Sequence, residues 1–251
     1  MRRLSSRTAL PLFLAVWALP GVAQTQPKAD WTGWYNIVRD AKTLGNLKPV
    51  NPNLDDVILA HLQPWARLKL EATNGPAEDT GQLCHPDGPF RFPINLGNLL
   101  LLPGPEKFVI VYGSLETAGV ERVYLNRQHP KNLLPTWNGD SVGHWDGDTL
   151  MIDTIGLNDK SWLENSMMPH TEETHVIKRI RRVEGSKGAF IEFQWTVEDR
   201  QALTSAYTYT RYYSKTEPSM PEYICNEDLQ EYKDRKNRAL KPLLERSREV
   251  R

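Results

Sequence analysis

The 251-residue chain has few cysteines and no surplus of charge of either sign. Lys plus Arg equals Asp plus Glu at 31 each, so the basic surplus typical of nucleic-acid binders is missing. Beyond the N-terminus the chain has no long apolar run, and no stable membrane insertion is expected there. A phosphate-binding loop, a dinucleotide fingerprint and a Gly-x-Ser-x-Gly motif are absent, which leaves nucleotide, NAD and serine-hydrolase chemistry without support.

The N-terminus has the features of a secretory signal peptide. Basic residues precede an apolar stretch at residues 9–19, and small residues lead up to Ala23. This order predicts export to the periplasm or secretion, with cleavage after Ala23. The alternative, an uncleaved membrane anchor, is disfavoured because a span needs about 20 apolar residues. Residues 1–23 are therefore set aside, and residues 24–251 are expected to form a single domain.

The only two cysteines are Cys84 and Cys225. Two cysteines in an exported chain are expected to form one disulfide bond. A nucleophilic thiol or a metal-bound thiolate is the alternative, but both need a free thiolate in an oxidising compartment.

Most of the mature chain alternates between apolar and polar residues, as β-strands do. Short turn signals separate the strands, and hardly any helix intervenes. The pattern predicts a mainly β protein, an antiparallel up-and-down barrel of lipocalin-like architecture, with a β-sandwich as the alternative. The predicted strands are residues 30–38, 98–102, 107–113, 120–126, 141–145, 148–155, 174–183, 189–198 and 205–213.

Three segments depart from this pattern. A helix is predicted to start near Pro64, which suits a first helical position. Residues 74–93 are predicted to be a loop, and a charged helical tail is predicted from about residue 226. The long connection at residues 156–173 is expected to be a lid or binding loop, or else a plain surface excursion.

The pair Asp146-Gly147 stands between two strand-like segments. Asp-Gly in this position predicts a tight hairpin of type I′, in which both central residues have positive φ. The hairpin places His144, Trp145 and Asp153 on or beside it.

Several motifs of the chain resemble those of a family of exported bacterial proteins. The main one is the hairpin motif Gly-Asp-Ser-Val-Gly-x-Trp-x-Gly-Asp-Thr-Leu, starting at Gly139. The resemblance implies a secreted barrel but no particular activity. The chain departs from the family at Lys178, where a glutamate is usual, so a base replaces that acid here. The other matching residues are Gln63-Pro64-Trp65-Ala66, Cys84-His85-Pro86-Asp87-Gly88-Pro89, Arg122-Val123-Tyr124-Leu125, His170-Thr171-Glu172, Arg179, Val197-Glu198-Asp199 and Glu222-Tyr223-Ile224-Cys225-Asn226-Glu227.

The candidate catalytic residues are His144, Asp153, His170 and His175. Histidine titrates near pH 6.5 and can accept and return protons at neutral pH. If Asp153 faces the barrel interior together with His175 or Arg179, the side chains form a polar cluster in an apolar cavity. The alternative is an Asp153–Arg179 ion pair that only joins two strands.

The candidate substrate-binding residues are mostly on the last strand. Tyr207, Tyr209 and Arg211 alternate there on one face, where an arginine can hold a carboxylate with its planar guanidinium. Trp145 and Arg179 complete the expected binding set. The alternative is an amphipathic strand whose tyrosines are half in the core.

No metal and no cofactor are expected, because the histidines lack zinc-ligand spacing. Asp140, Asp146 and Asp148 are explained by turn hydrogen bonds, since no EF-hand spacing accompanies them. The sequence thus predicts an exported lyase or isomerase that acts on a small, aromatic or carboxylated molecule by His/Asp proton transfer. The alternative is a periplasmic carrier that binds such a ligand without chemistry. No nucleic-acid partner is expected, and the oligomeric state is left open.

Overall fold

The computed structural model describes residues 30–47, 54–73, 79–81, 83–95, 98–113, 119–163 and 167–218. Within them, nine strands form a closed barrel in which each strand pairs with the next along the chain and the last pairs with the first. The predicted mainly β barrel is confirmed. The signal peptide, Cys225 and the helical tail lie outside the described residues, so those predictions stay untested.

The strand positions follow the alternating pattern closely. Every strand predicted from the sequence is present, with ends that shift by a few residues. The strands are β1 (Gly33–Ile37), β2 (Asn98–Pro103), β3 (Lys107–Gly113), β4 (Gly119–Leu125), β5 (Asp140–Asp146), β6 (Thr149–Ile155), β7 (His175–Gly185), β8 (Gly188–Glu198) and β9 (Tyr207–Thr216).

Four helical segments accompany the barrel. The helix predicted at Pro64 is present and preceded by a separate helix, and a further helix lies within the stretch that was predicted to be a loop. The segments are α1 (Ala41–Leu44), α2 (Leu54–His61), α3 (Pro64–Ala72) and α4 (Gly88–Asn95). None of the helices in the described ranges has the length and apolar character needed to cross a membrane.

One strand pair departs from the antiparallel expectation. β4 and β5 run parallel, and their register covers only Val123, Tyr124 and Leu125 against Ser141, Val142 and Gly143. Parallel neighbours need a crossover connection, which residues 126–139 supply. The barrel is therefore mixed, and this junction is its shortest ladder.

The hairpin between β5 and β6 differs in detail from the predicted turn. Asp146 still pairs with Thr149, so the two central residues are Gly147 and Asp148. Only Gly147 has a positive φ, of 59°. This is the pattern of a type II′ turn, which needs glycine at its first central position only.

Side chains, many of them aromatic, line the barrel interior. Strand alternation sends every second residue inward. Aromatic residues of β8 and β9 stack in a row, with Trp195 between Phe193 and Tyr209 at centroid distances of 5.2 and 5.0 Å. At one end Trp31 contacts Phe108 and Trp145 edge to face, which closes the interior there.

The long connection after β6 belongs to the core. Leu157, Leu163 and Met168 are buried and pack with Phe90 of α4 and with the inward residues of the barrel. The described part of this segment therefore closes an end of the barrel, and it is neither an open lid nor a plain surface loop.

Candidate functional site

Asp153 and His175 meet as the sequence predicted, but on the outer wall of the barrel. His175 Nε2 lies 2.9 Å from Asp153 Oδ1, while both side chains remain partly exposed. The inward residues of these strands are the alternate ones, including Ile152 on β6 and Val176 and Lys178 on β7. The expectation that Asp153 faces the barrel interior is therefore wrong, because its side chain lies on the outer face of β6.

His129 joins this pair from the crossover connection between β4 and β5. Its Nε2 lies 3.3 Å from the same Asp153 Oδ1, and its Nδ1 lies 2.8 Å from Asp140 Oδ2. Glu198 Oε2 is 3.5 Å from His175 Nδ1. We call these five residues, His129, Asp140, Asp153, His175 and Glu198, the wall cluster. It is a continuous row of alternating carboxylates and imidazoles.

The contacts in the wall cluster shift the pKa values of two members in opposite directions. The hydrogen bond with His175 lowers the pKa of Asp153 below its ordinary 3.8. The same bond raises the pKa of His175 above its ordinary 6.5. Because the Asp153 side chain is 49% exposed, solvent screening keeps the stability from this pair below about 1 kcal/mol. The contacts therefore change the protonation of Asp153 and His175 more than they stabilise the fold.

A cleft of about 180 Å³ opens in the barrel wall next to the wall cluster. It lies where the short parallel ladder leaves the first residues of β4 paired with β3 but not with β5. Its lining includes Glu121, Arg122, Asn138, Asp140 and Ser141. We call this opening the wall cleft. Asp140 belongs to both the wall cleft and the wall cluster, and it also pairs with Arg127.

Behind the wall cleft lies a buried polar network in the barrel interior. Lys178 Nζ donates to Glu121 Oε2 at 2.5 Å, and the Tyr112 hydroxyl donates to the same oxygen at 2.8 Å. Ser141 Oγ is 3.3 Å from Glu121 Oε1 and 2.8 Å from Thr154 Oγ1. Glu121 and Ser141 also line the wall cleft, so the network connects the cleft to the centre of the barrel.

Burial dominates the electrostatics of this network. Lys178 is completely buried, and desolvation lowers the pKa of its ammonium although the Glu121 carboxylate opposes that effect. Desolvation likewise raises the pKa of the Tyr112 hydroxyl well above its ordinary value, and the nearby Glu121 charge adds to the rise. Removal of either charge would leave its partner buried without compensation.

Two of the four predicted catalytic residues lie away from the wall cluster. His144 is exposed on the outer face of β5, paired in register with Met151. His170 is buried in the segment that closes the barrel, where its Nε2 is 2.9 Å from Ser161 Oγ and its Nδ1 is 3.0 Å from Thr174 Oγ1. The four residues therefore do not converge around one cavity.

Burial lowers the pKa of His170 to about 4, so this imidazole is neutral at pH 7. Thr174 Oγ1 donates to Asp199 Oδ2 at 2.8 Å, and the backbone N–H of Thr171 donates to the same oxygen at 2.7 Å. These bonds fix the end of the segment to the turn after β8. His170 is thus a buried, neutral residue in the segment that closes the barrel.

The predicted binding residues divide between the interior and the wall. Tyr207, Tyr209 and Arg211 are buried on the inward face of β9, as the alternation predicted. Trp145 packs against Trp31 at the other end of the barrel, with ring centroids 5.0 Å apart. Arg179 is exposed on the outer face of β7, and among the described residues it forms no ion pair with Asp153.

Sequence reasoning did not identify four residues of this region as site candidates: Glu121, His129, Asp140 and Lys178. His129 and Asp140 lie in or next to an irregular crossover, where periodicity carries no information. Glu121 and Lys178 alternate in phase with apolar inward residues, but charged residues are rarely expected in a barrel core. Within the described ranges no group of three or more His, Cys, Asp or Glu side chains is arranged to hold a metal ion.

No protein-family model matches the chain, and no curated protein matches it significantly.

Proposed function

We propose that the protein is an exported enzyme that moves protons on a small molecule held in the wall cleft. One observation carries the proposal: Asp140 lines the wall cleft and is also hydrogen-bonded to His129 Nδ1 at 2.8 Å. A molecule in the cleft therefore lies next to the first member of a row of acid–base groups.

The wall cluster offers a route for a proton from the cleft to solvent. A proton taken up by Asp140 can pass to His129 Nδ1, while the proton on Nε2 is released towards Asp153 and then to His175. His175 is partly exposed and exchanges its proton with water. Such a relay serves a lyase or an isomerase, since these reactions need removal and return of a proton but no oxidant and no hydride.

The substrate class follows from the lining of the wall cleft. Arg122 is an exposed cation at its edge that suits a carboxylate. Asn138 Oδ1 is a buried acceptor to which no group of the described residues donates. A small carboxylate that also carries a hydroxyl group satisfies both residues. The signal peptide supports action in the periplasm or outside the cell.

The test is hydrogen exchange at carbon in D2O, followed by ¹H NMR on small hydroxy carboxylates such as mandelate and malate. We expect catalysed exchange with the wild type and a loss of about 10²-fold or more with Asp140→Asn or His129→Gln. His61→Gln is the matched control, because His61 lies on α2 and contacts Ser205 away from the wall. If the exchange rate of His129→Gln equals that of the wild type, the proposal is wrong.

A non-catalytic periplasmic carrier is the second candidate function. It is favoured by the separation of His144 and His170 from the wall cluster, since a complete set of four acid–base groups does not surround one cavity. Stoichiometric binding of the same carboxylates without any catalysed exchange would support the carrier.

A further inference from the structure

Arg211 is a buried cation on the inward face of β9, and no described residue is its counter-ion. Its residue is only 8% exposed. The guanidinium has five N–H donors, yet its one hydrogen bond within the described part of the chain goes to the neighbouring Thr210 carbonyl, at 3.2 Å. None of the ion pairs formed among the described residues includes Arg211. A buried charge without a counter-ion is costly, so this site favours an anion.

Trp195, on the adjacent strand β8, is a second buried donor. The residue is completely buried, and no described residue accepts a hydrogen bond from its indole Nε1–H. An indole N–H can only donate. A buried unsatisfied donor costs about 1–3 kcal/mol, which an oxygen acceptor would recover.

Tyr209 lies next to both donors. Its ring is parallel to Trp195 at a centroid distance of 5.0 Å, and the Arg211 Cζ atom is 5.4 Å from the centre of the same ring. The strand register explains this arrangement: Trp195 pairs with Tyr209, and Arg211 is the next inward residue of β9. The Tyr209 ring thus contacts both Trp195 and Arg211.

The surroundings of these donors are aromatic and poor in acceptors. Phe193 stacks on Trp195 and meets Tyr213 edge to face at 5.2 Å. The positive charges of Arg211 and Arg39 act on the Tyr213 hydroxyl. A ligand here meets two donor-only groups, a second nearby cation and flat apolar rings.

We propose that Arg211 and Trp195 form a binding site for a small aromatic carboxylate inside the barrel, separate from the wall cleft. The carboxylate accepts from the Arg211 guanidinium and from Trp195 Nε1, and the ring of the ligand packs among Phe193, Tyr209 and Tyr213. The site goes beyond the proposed proton-transfer chemistry, because it uses a different face of the sheet and none of the wall cluster.

The probe is benzoate, titrated by isothermal calorimetry into the wild type and four variants. We expect Arg211→Gln and Trp195→Phe to weaken binding at least tenfold. Arg211→Lys, which keeps the charge but loses the planar guanidinium, should fall between the wild type and Arg211→Gln. Arg200→Gln removes an exposed arginine from the turn after β8 and should bind like the wild type. Benzyl alcohol, which lacks the charge, should bind at least tenfold more weakly than benzoate.

A second measurement follows binding in the wild type and needs one variant only to assign the signal. In the ¹H–¹⁵N spectrum of the wild type, the indole N–H signal of Trp195 is identified by its loss in Trp195→Phe. Saturating benzoate should shift this signal downfield, as a new hydrogen bond to a carboxylate requires. No benzoate binding, binding that Arg211→Gln leaves unchanged, or an unmoved Trp195 signal in the bound protein would each overturn the proposal.

Discussion

Lys178 shows how one side chain can tie three strands of the barrel together. It extends from β7 across the interior to Glu121 on β4, and Tyr112 of β3 donates to the same carboxylate. Both charged residues are almost completely removed from solvent. A buried ion pair gives little net stability compared with apolar residues. The loss of one partner is nevertheless strongly destabilising, because the other charge stays buried without compensation.

Replacement of Lys178 by Met should therefore destabilise the protein strongly. The change leaves the Glu121 carboxylate buried without its counter-ion, which costs about 3–5 kcal/mol. The expected result is a lower urea midpoint with an unchanged m-value. The double variant Glu121→Leu with Lys178→Met removes both charges and should be more stable than Lys178→Met alone. If Lys178→Met unfolds at the wild-type urea concentration, the pair is not a buried ion pair in solution.

At the scale of elements, the strands could be predicted, but the inward face of β7 could not. The alternation placed Asp153 and His175 on faces that meet, and the structure brings these side chains together at 2.9 Å. The expectation that these two side chains point into the barrel was wrong because β7 has apolar residues on both faces: Val176 points inward and Ile177 outward. With an inward lysine two residues after Val176, hydrophobicity alone cannot distinguish the core side of this strand.

The segment between β6 and β7 depends on His170 remaining neutral. Unfolded His170 takes up a proton near pH 6.5, whereas burial holds its folded pKa at about 4. The folded pKa is depressed, so the contribution to stability is complete above pH 6.5 and is lost as the pH falls towards 4. At 1.36 kcal/mol for each pKa unit, the loss amounts to about 3 kcal/mol.

We therefore expect the free energy of unfolding to fall less steeply between pH 6.5 and 4 in His170→Gln than in the wild type. Urea unfolding at several pH values measures this slope. His144→Gln should keep the wild-type slope, because His144 is exposed on β5. Equal slopes in His170→Gln and the wild type would mean that His170 is not held neutral by burial.

At the scale of the whole molecule, the closed barrel was predictable because strands with short turns dominate the chain. The parallel junction between β4 and β5 was not, since its cause is the path of a crossover that has no periodic pattern. That junction opens the wall cleft and brings His129 to Asp153. The proposed site is thus created by the one irregular step in an otherwise regular barrel.

A disulfide between Cys84 and Cys225 remains a prediction about the whole molecule. Cys84 is in the turn before α4, and this turn is held by Arg91, which pairs with Asp79 at 2.7 Å and with Asp87 at 3.1 Å. The bond would fasten that turn to the chain beyond β9. Each of Cys84→Ser and Cys225→Ser should lower the free energy of unfolding by about 2–4 kcal/mol, because a covalent link restricts the unfolded chain.

The free energy of unfolding should fall by the same amount in the two serine variants, since each removes the same bond. Alkylation of the unreduced, denatured protein, purified after expression with export to an oxidising compartment, followed by mass spectrometry, should find no free thiol. After reduction it should find two, because the chain contains only these two cysteines. Two thiols before reduction would exclude the bridge and would restore the possibility of thiolate chemistry that an oxidising compartment otherwise disfavours.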